Sequence, residues 1–547
     1  MVSLEVRNGF VIDPMNGVFE VKDVFVKNGR IVESLDKPEM VVDAKGKVVV
    51  AGGIDVHAHV AGGKINMGRK MRPEEMRYPR FKSDNLRSGV GRVLLTSPAI
   101  GYEYARMGYT TVVEPAMPAL YSIHTHEELD SIPIVDKMAL PLFGNWHFVF
   151  KFVKNDEIEK LSNFIAWVLA KTKGFGVKVV NPCGVEAWMF HGNVYSLNDT
   201  DPLFGVSPKE VITGLISAIE RLKLPHSLHI HCNLLGIPGN YEVTLETIKL
   251  TRRFENSERQ VMHVTHVQFN SYAGESWKDM SSGAEFVAKE VNRNNVTVDM
   301  GQVILGHATT MTADSPFQYE LFKIFKTKWS NLDVELETGS GIVPVYYSPK
   351  VRVHSLMWAI GLEIGLLVDV DKVVISTDYP NGGPFYSYPY IATLLMSEKF
   401  REEEMKKIAN VERYSILPSL SEERTLEDVV KMTRVNPARI LGLNDRGHLG
   451  ENAKADLVIY DLPPEPNPRD YESILKALSN PSLVLKDGEI VVKEGRVVKH
   501  TWGETIWVKR DYDEELIGDE LEDFFNYYTV QRENYGVPHV RREVVLC

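Results

Sequence analysis

The chain is 547 residues long, 44% apolar and 25% charged, enough apolar material for a substantial core and too long for one simple domain. A formal net charge of -12 argues against nucleic acid or an anionic membrane surface as a partner. No apolar run is long enough to span a bilayer, and Met1-Val2-Ser3-Leu4-Glu5 starts as a strand rather than a cleavable signal, so a large soluble enzyme of the cytoplasm is expected.

Residues 1–51 read as short strands, with turns at Asp13-Pro14 and Lys27-Asn28-Gly29-Arg30, running into Val48-Val49-Val50. Directly after them comes Gly52-Gly53-Ile54-Asp55-Val56-His57-Ala58-His59. Alternate side chains of a strand share a face, so His57 and His59 make a two-ligand clamp for a metal ion. Taken alone, such a pair reads more readily as two ordinary half-buried histidines, a reading that weakens only if further ligands appear at strand ends. Beyond it, Met67 to Arg72 reads as a loop whose Arg69, Lys70 and Arg72 either hold an anionic substrate tail or are simply exposed. His124-Thr125-His126 repeats the spacing but runs into Glu127-Glu128-Leu129, a helix start in which residues two apart diverge. His147 reads as a buried, hydrogen-bonded structural histidine.

Gly176-Val177-Lys178-Val179-Val180-Asn181-Pro182 places a lysine inside an apolar strand. Burial disfavours the ammonium form, so Lys178 is expected to be deprotonated, paired or chemically modified. In Ser227-Leu228-His229-Ile230-His231-Cys232-Asn233, His231 lies nearer the loop than His229. Val261-Met262-His263-Val264-Thr265-His266-Val267 offers two histidines on opposite strand faces, of which His266 is taken as the inward one. Both choices rest on register, which a one-residue slip inverts. Lys372-Val373-Val374-Ile375-Ser376-Thr377-Asp378 ends an apolar strand in a carboxylate. Asn233 and Asn381 sit in loops beyond these strands, suited to substrate binding or to turn formation. Five such segments at successive strand ends fit a barrel of parallel strands with its chemistry at the C-terminal rim.

His-x-His, a mid-chain lysine, one histidine on each of two later strands and then an aspartate resemble the binuclear metal site of the amidohydrolase superfamily. Asn436-Pro437-Ala438-Arg439-Ile440-Leu441-Gly442-Leu443, followed by Gly450 to Asp461, resembles that family's exit from barrel to β-domain. The resemblance implies an α/β fold: a (β/α)8 TIM-like barrel over 52–443 and a small discontinuous β-sandwich from 1–51 and 444–501. An acidic, aromatic extension over 502–547 reads as a solvated helix face rather than a docking tail. Within the superfamily, the His59 to Asn66 loop, the Lys178 to Pro182 and His231 to Gly236 runs, Ser376 to Gly383 and the tail Tyr528 to Tyr535 are similar to the amidohydrolase-type subunit of tungsten- or molybdenum-dependent formylmethanofuran dehydrogenases.

That likeness implies His57, His59, Lys178, His231, His266 and Asp378 as metal ligands. It implies two divalent ions, Zn2+, which suits neutral imidazoles and carboxylates at about 2.0–2.2 Å. Lys178 would bridge them as a CO2-derived carbamate, and Asp378 would be the catalytic group, moving a proton from a shared water to the leaving amine. The implied reaction condenses formate with the amine of methanofuran to give formylmethanofuran, or hydrolyses that amide. It would run in a CO2-reducing complex whose other subunits carry a tungsto- or molybdopterin and iron-sulfur clusters. Three scattered cysteines, Cys183, Cys232 and Cys547, hold neither a cluster nor a disulfide framework, so this chain is expected to be the non-redox part. Two further readings remain: a cyclic-amide hydrolase of dihydroorotase or hydantoinase type, with the same ligands, and a catalytically silent scaffold, which the full ligand set speaks against.

Overall fold

The computed structural model describes residues 3–76, 91–255, 257, 259–328, 330–334 and 337–547. Its centre is a ring of eight strands: β1 (Gly53–Asp55), β2 (Tyr109–Met117), β3 (Asp136–Pro141), β4 (Lys178–Val180), β5 (Leu228–His231), β6 (Met262–Val264), β7 (Val296–Asp299) and β8 (Val373–Val374). β1, β2 and β3 pair in parallel, as do β4 through β8. Two parallel bridges join these arcs, Leu142 to Lys178 on one side and Ala58 to Tyr379 on the other. Helices such as Ile158–Thr172, Pro208–Leu222 and Arg352–Leu367 connect successive strands. The arrangement is of TIM-barrel type, and near-continuous runs of Val and Ile suit strands covered on both faces.

Sequence chemistry explains how the chain enters the ring. Val48–Ala51 belongs to a separate seven-stranded sheet, where it pairs antiparallel with Leu457–Tyr460 from the far end of the chain. Two residues later the chain is already pairing with β2. A Cβ on Gly53 would stand only 2.8 Å from the Tyr109 ring, so a residue without a side chain is needed at this close approach. A four-stranded sheet of N-terminal strands, including Leu4–Arg7 and Val24–Lys27, shares an apolar core with the seven-stranded one: Leu4, Val6, Val26, Val49, Leu457 and Leu485.

Between β7 and the helix Arg352–Leu367, a three-stranded antiparallel sheet (Gly306–Thr312, Glu337–Tyr347 and Ser330–Val334) and the helix Ser315–Phe325 rise over one mouth of the ring. At the chain's end, Thr505–Val508 pairs with β3 at Lys137 and with Glu543–Leu546. The helix Gly518–Tyr527 buries Leu521 and Phe524, the latter 4.5 Å from the Phe148 ring, while Asp519, Glu522 and Asp523 face solvent. Among the described residues no helix is long and apolar enough to cross a membrane.

A buried ionic network ties ring, terminal sheet and C-terminal segment together. Lys486 Nζ lies 3.2 Å from Asp136 of β3, 3.2 Å from Asp456 and 2.9 Å from Asp487. Arg446 reaches Asp136 at 3.0 Å and Glu504 at 2.7 Å. Removing one member leaves its partners charged in a medium that solvates them poorly. Lys486→Met is therefore expected to destabilise the protein by about 3–5 kcal/mol, whereas Lys499→Met, at the exposed pair with Glu489, should cost less than about 1 kcal/mol. Equilibrium denaturant unfolding compares the two, and equal effects would refute the network's role.

Candidate metal centre

His57 and His59 lie just past the end of β1, not within it. They stay extended because Ala58 bridges to Tyr379 and the His59 N–H donates to the Tyr379 carbonyl at 2.7 Å. That bond sets the loop after the first strand beside the loop after the last. There Asp378, at φ 50°, turns its carboxylate inward: Oδ1 lies 3.1 Å from His57 Nε2 and 3.3 Å from His59 Nε2. Potential ligand atoms of these three residues fall within 4.8 Å of one another.

His231 ends β5 and His266 follows β6 at φ 36°. The His266 ring is 5.1 Å from that of His57 and 4.9 Å from that of His231. Lys178, the first residue of β4, donates to Thr265 Oγ1 at 3.3 Å, its long stem carrying the amine upward. All six residues, His57, His59, Lys178, His231, His266 and Asp378, line one cavity of about 470 Å3. His229 and His263 lie beneath it instead. The donor set fits a borderline divalent cation: imidazoles with a carboxylate, and a buried His266 Nδ1 with no hydrogen-bond partner.

Burial dominates the electrostatics. It pushes the Lys178 amine down to about 7, although Asp378 and Asp299 pull the other way. His57 and His266 are held well below the ordinary imidazole range by burial, with Lys178 among the neighbours adding to it. Burial likewise raises the Asp378 carboxyl, opposed by His59 and Asn381.

Several partners escaped the sequence reading. Glu114, inside β2, meets His59 Nδ1 at 3.3 Å, accepts from the Val60 and Ala61 N–H groups at 2.7 and 3.0 Å, and pairs with Lys64 at 2.7 Å. A carboxylate in the apolar run Val112-Val113-Glu114 is the same signal that marked Lys178, and it could have been read. Asp314, the N-cap of Ser315–Phe325, meets His231 Nε2 at 3.2 Å and accepts from Asn181 Nδ2 at 3.0 Å. Asn381 lines the cavity and donates to Asp378 Oδ1 at 2.8 Å, while Asn233 spends its amide on Asn181 and Pro182.

Other expectations are corrected. Met67 to Met71 continue the helix Gly63–Met71 rather than forming a loop. Arg69 is spent on the Leu95 carbonyl and Asn66, and Arg72 on Thr309 Oγ1 and the Ala308 carbonyl. Neither lines the cavity, so neither anchors a substrate tail there. His147 packs among Phe148, Phe204, Phe524 and Tyr528, with Nδ1 unbonded. The reading of His124-Thr125-His126 as helical is borne out: both histidines lie on the helix Ser122–Leu129, and His126 Nε2 donates to the Thr172 carbonyl.

Residues 40–497 match the model of the amidohydrolase family. The chain is 46% identical over 546 residues to Protein FwdA of Methanocaldococcus jannaschii, covering 97% of this chain and 96% of that one. It is 36% identical over 513 residues to a subunit of the formyltransferase/hydrolase complex Fhc of Methylorubrum extorquens, covering 92% and 90%. The crystal structure of the FhcABCD complex from Methylorubrum extorquens with methylofuran superposes with a TM-score of 0.90 and 32% identity over 99% of both chains. A match across most of the chain, with a strand ring that gathers histidines, a lysine and an aspartate at one mouth, makes this protein a member of the amidohydrolase family.

Proposed function

We propose that this chain is the amide-handling component of a formylmethanofuran-type complex, joining formate to the primary amine of methanofuran and cleaving the product in reverse. The observation that carries this reading is the cavity itself: the six polar residues share one floor, although they are spread from position 57 to 378. Likeness to FwdA and to the methylofuran-bound Fhc complex supplies the substrate class. On this reading the ring is a (β/α)8 barrel over 52–443, the terminal sheets form one β-sandwich from 1–51 and 444–501, and the protein works in the cytoplasm. Formate would come from CO2 reduced on other subunits of the complex.

His57, His59, His231, His266 and Asp378 would hold two divalent ions, Zn2+ by donor type, with Lys178 contributing oxygen donors as a CO2-derived carbamate. A neutral amine is what carbon dioxide captures, and the buried, poorly solvated Lys178 supplies one. When bound, the cations polarise an amide carbonyl and acidify a water toward neutrality. Asp378 accepts the proton of the attacking water and returns it to the departing amine. Asn381 Nδ2, bonded to Asp378 Oδ1, fixes the carboxylate's direction. Phe269, Trp277, Phe317, Leu321, Tyr347 and Met357 wall the remaining cavity, which suits an amine carried on a flat apolar group. A dihydroorotase-type substrate carries a carboxylate, and no arginine lines this cavity among the described residues.

Asp378→Asn is expected to lower hydrolysis of formylmethanofuran by on the order of 10²–10⁴-fold in a stopped assay of the free amine. A wild-type protein that turns over dihydroorotate or hydantoin but leaves the formamide intact would overturn the reading. Glu114→Gln, which weakens the grip on His59, should reduce zinc affinity by about 10–100-fold in competition with a chromophoric chelator. Unchanged affinity would remove Glu114 from the site's support.

A further inference from the structure

Three imidazoles run in single file from the cavity floor into the ring. His57 Nδ1 lies 2.9 Å from His229 Nε2, His229 Nδ1 lies 3.0 Å from His226 Nε2, and His226 Nδ1 lies 2.9 Å from the carbonyl oxygen of Ile440. All three rings are buried. Neither His226 nor His229 lines the cavity, and the proposed reaction uses neither.

The far end of this file determines its direction. A carbonyl oxygen only accepts, so His226 Nδ1 must carry hydrogen. In an uncharged ring Nε2 is then a lone pair, which requires a hydrogen on His229 Nδ1. The same step requires one on His57 Nδ1 and leaves the His57 Nε2 lone pair facing Asp378 and the cavity. His226 and His229 are fully buried, and each spends both ring nitrogens on a neighbouring ring or carbonyl rather than on a carboxylate, so each carries a single hydrogen. Ile440 lies in the last turn of Asn436–Leu441, where carbonyls lack helical partners and carry the negative end of the helix dipole. Two carboxylates flank His57: Asp299 Oδ2 at 3.7 Å from Nδ1 favours the same tautomer, while Asp378 Oδ1 at 3.1 Å from Nε2 is compatible with it when a cation, or a hydrogen on the carboxyl, lies between the two atoms.

We infer that the Ile440 carbonyl sets the tautomers of three consecutive histidines, and that His226 and His229 are positioning residues presenting the His57 Nε2 lone pair to a cation. The inference rests on the reading of His57 as a metal ligand, and its test separates the two. Neutron diffraction of the perdeuterated full chain, stripped of metal, should show deuterium on Nδ1 of His226, His229 and His57. Zinc titration of variants adds a second readout. His229→Leu, which can neither donate nor accept, should lose about 10–100-fold in zinc affinity. His229→Gln, whose amide accepts at one atom and donates at the other, should stay within a few-fold of wild type. A purely structural role for the ring would not divide the two variants in this way. Deuterium on Nε2 of His229 or His57, or equal losses in both variants, would overturn the inference. Wild-type protein that binds no zinc yet shows three Nδ1 deuterons would sink the metal reading and leave the tautomer order standing.

Discussion

A single backbone hydrogen bond, from the His59 N–H to the Tyr379 carbonyl at 2.7 Å, closes the ring where its first and last strands meet. The residues that face one another across that seam, His57 and His59 on one side and Asp378 on the other, are 319 to 321 positions apart in sequence. Only closure brings them within hydrogen-bonding distance. The terminal sheet serves the same end from below. Pairing of Val48–Ala51 with Leu457–Tyr460 anchors both sides of the barrel, so β1 enters at a fixed height and angle. Were the seam to open, the carboxylate would leave the two imidazoles, while His231 and His266 would keep their places on the far arc.

Closure also concentrates charge where water is scarce, and each buried ion needs a partner to be tolerated. Asp378 has His59 and Asn381; Glu114 has Lys64, His59 and two backbone N–H groups. Asp299 takes His263 at 3.2 Å and the Ser376 hydroxyl. These bonds also orient the rings whose free nitrogens face the cavity. The support is distributed: His59 is held from β2, His231 from the cap of the overlying helix, His57 from β5 and β7 beneath. Asp314 thereby links the overlying helix Ser315–Phe325 directly to His231.

The sequence disclosed the residues whose chemistry clashes with their surroundings. His-x-His after a β-branched run, a lysine in an apolar strand and an aspartate closing another all stand out because an isolated polar group there costs free energy. All six line one cavity. The register choices turn on local geometry. His229 and His231 share a strand face, so both point inward at different depths, and the upper one reaches the cavity. His263 and His266 escaped the two-residue period because β6 stops at Val264 and His266 follows in a left-handed conformation. What stayed hidden depends on distant partners. Arg69 and Arg72 are basic in any sequence reading, yet backbone carbonyls at Leu95 and Ala308 consume them. Asp314 looks like an ordinary helix cap until the fold sets it against His231.

The cavity divides its work between a polar floor and an apolar wall, and the division bears on the direction of the proposed reaction. Water in bulk drives an amide toward hydrolysis, so net synthesis needs little free water and a high local concentration of the acid. Phe269, Phe317, Leu321 and Tyr347 offer water few hydrogen-bond partners, while the floor offers several. Hydrogen-bond partners for water are thus concentrated at the histidines and carboxylate of the floor. A low-dielectric wall also strengthens each interaction on the floor. On the proposed reaction the same side chains would seat the apolar part of the amine, tying substrate preference and reaction direction to one surface.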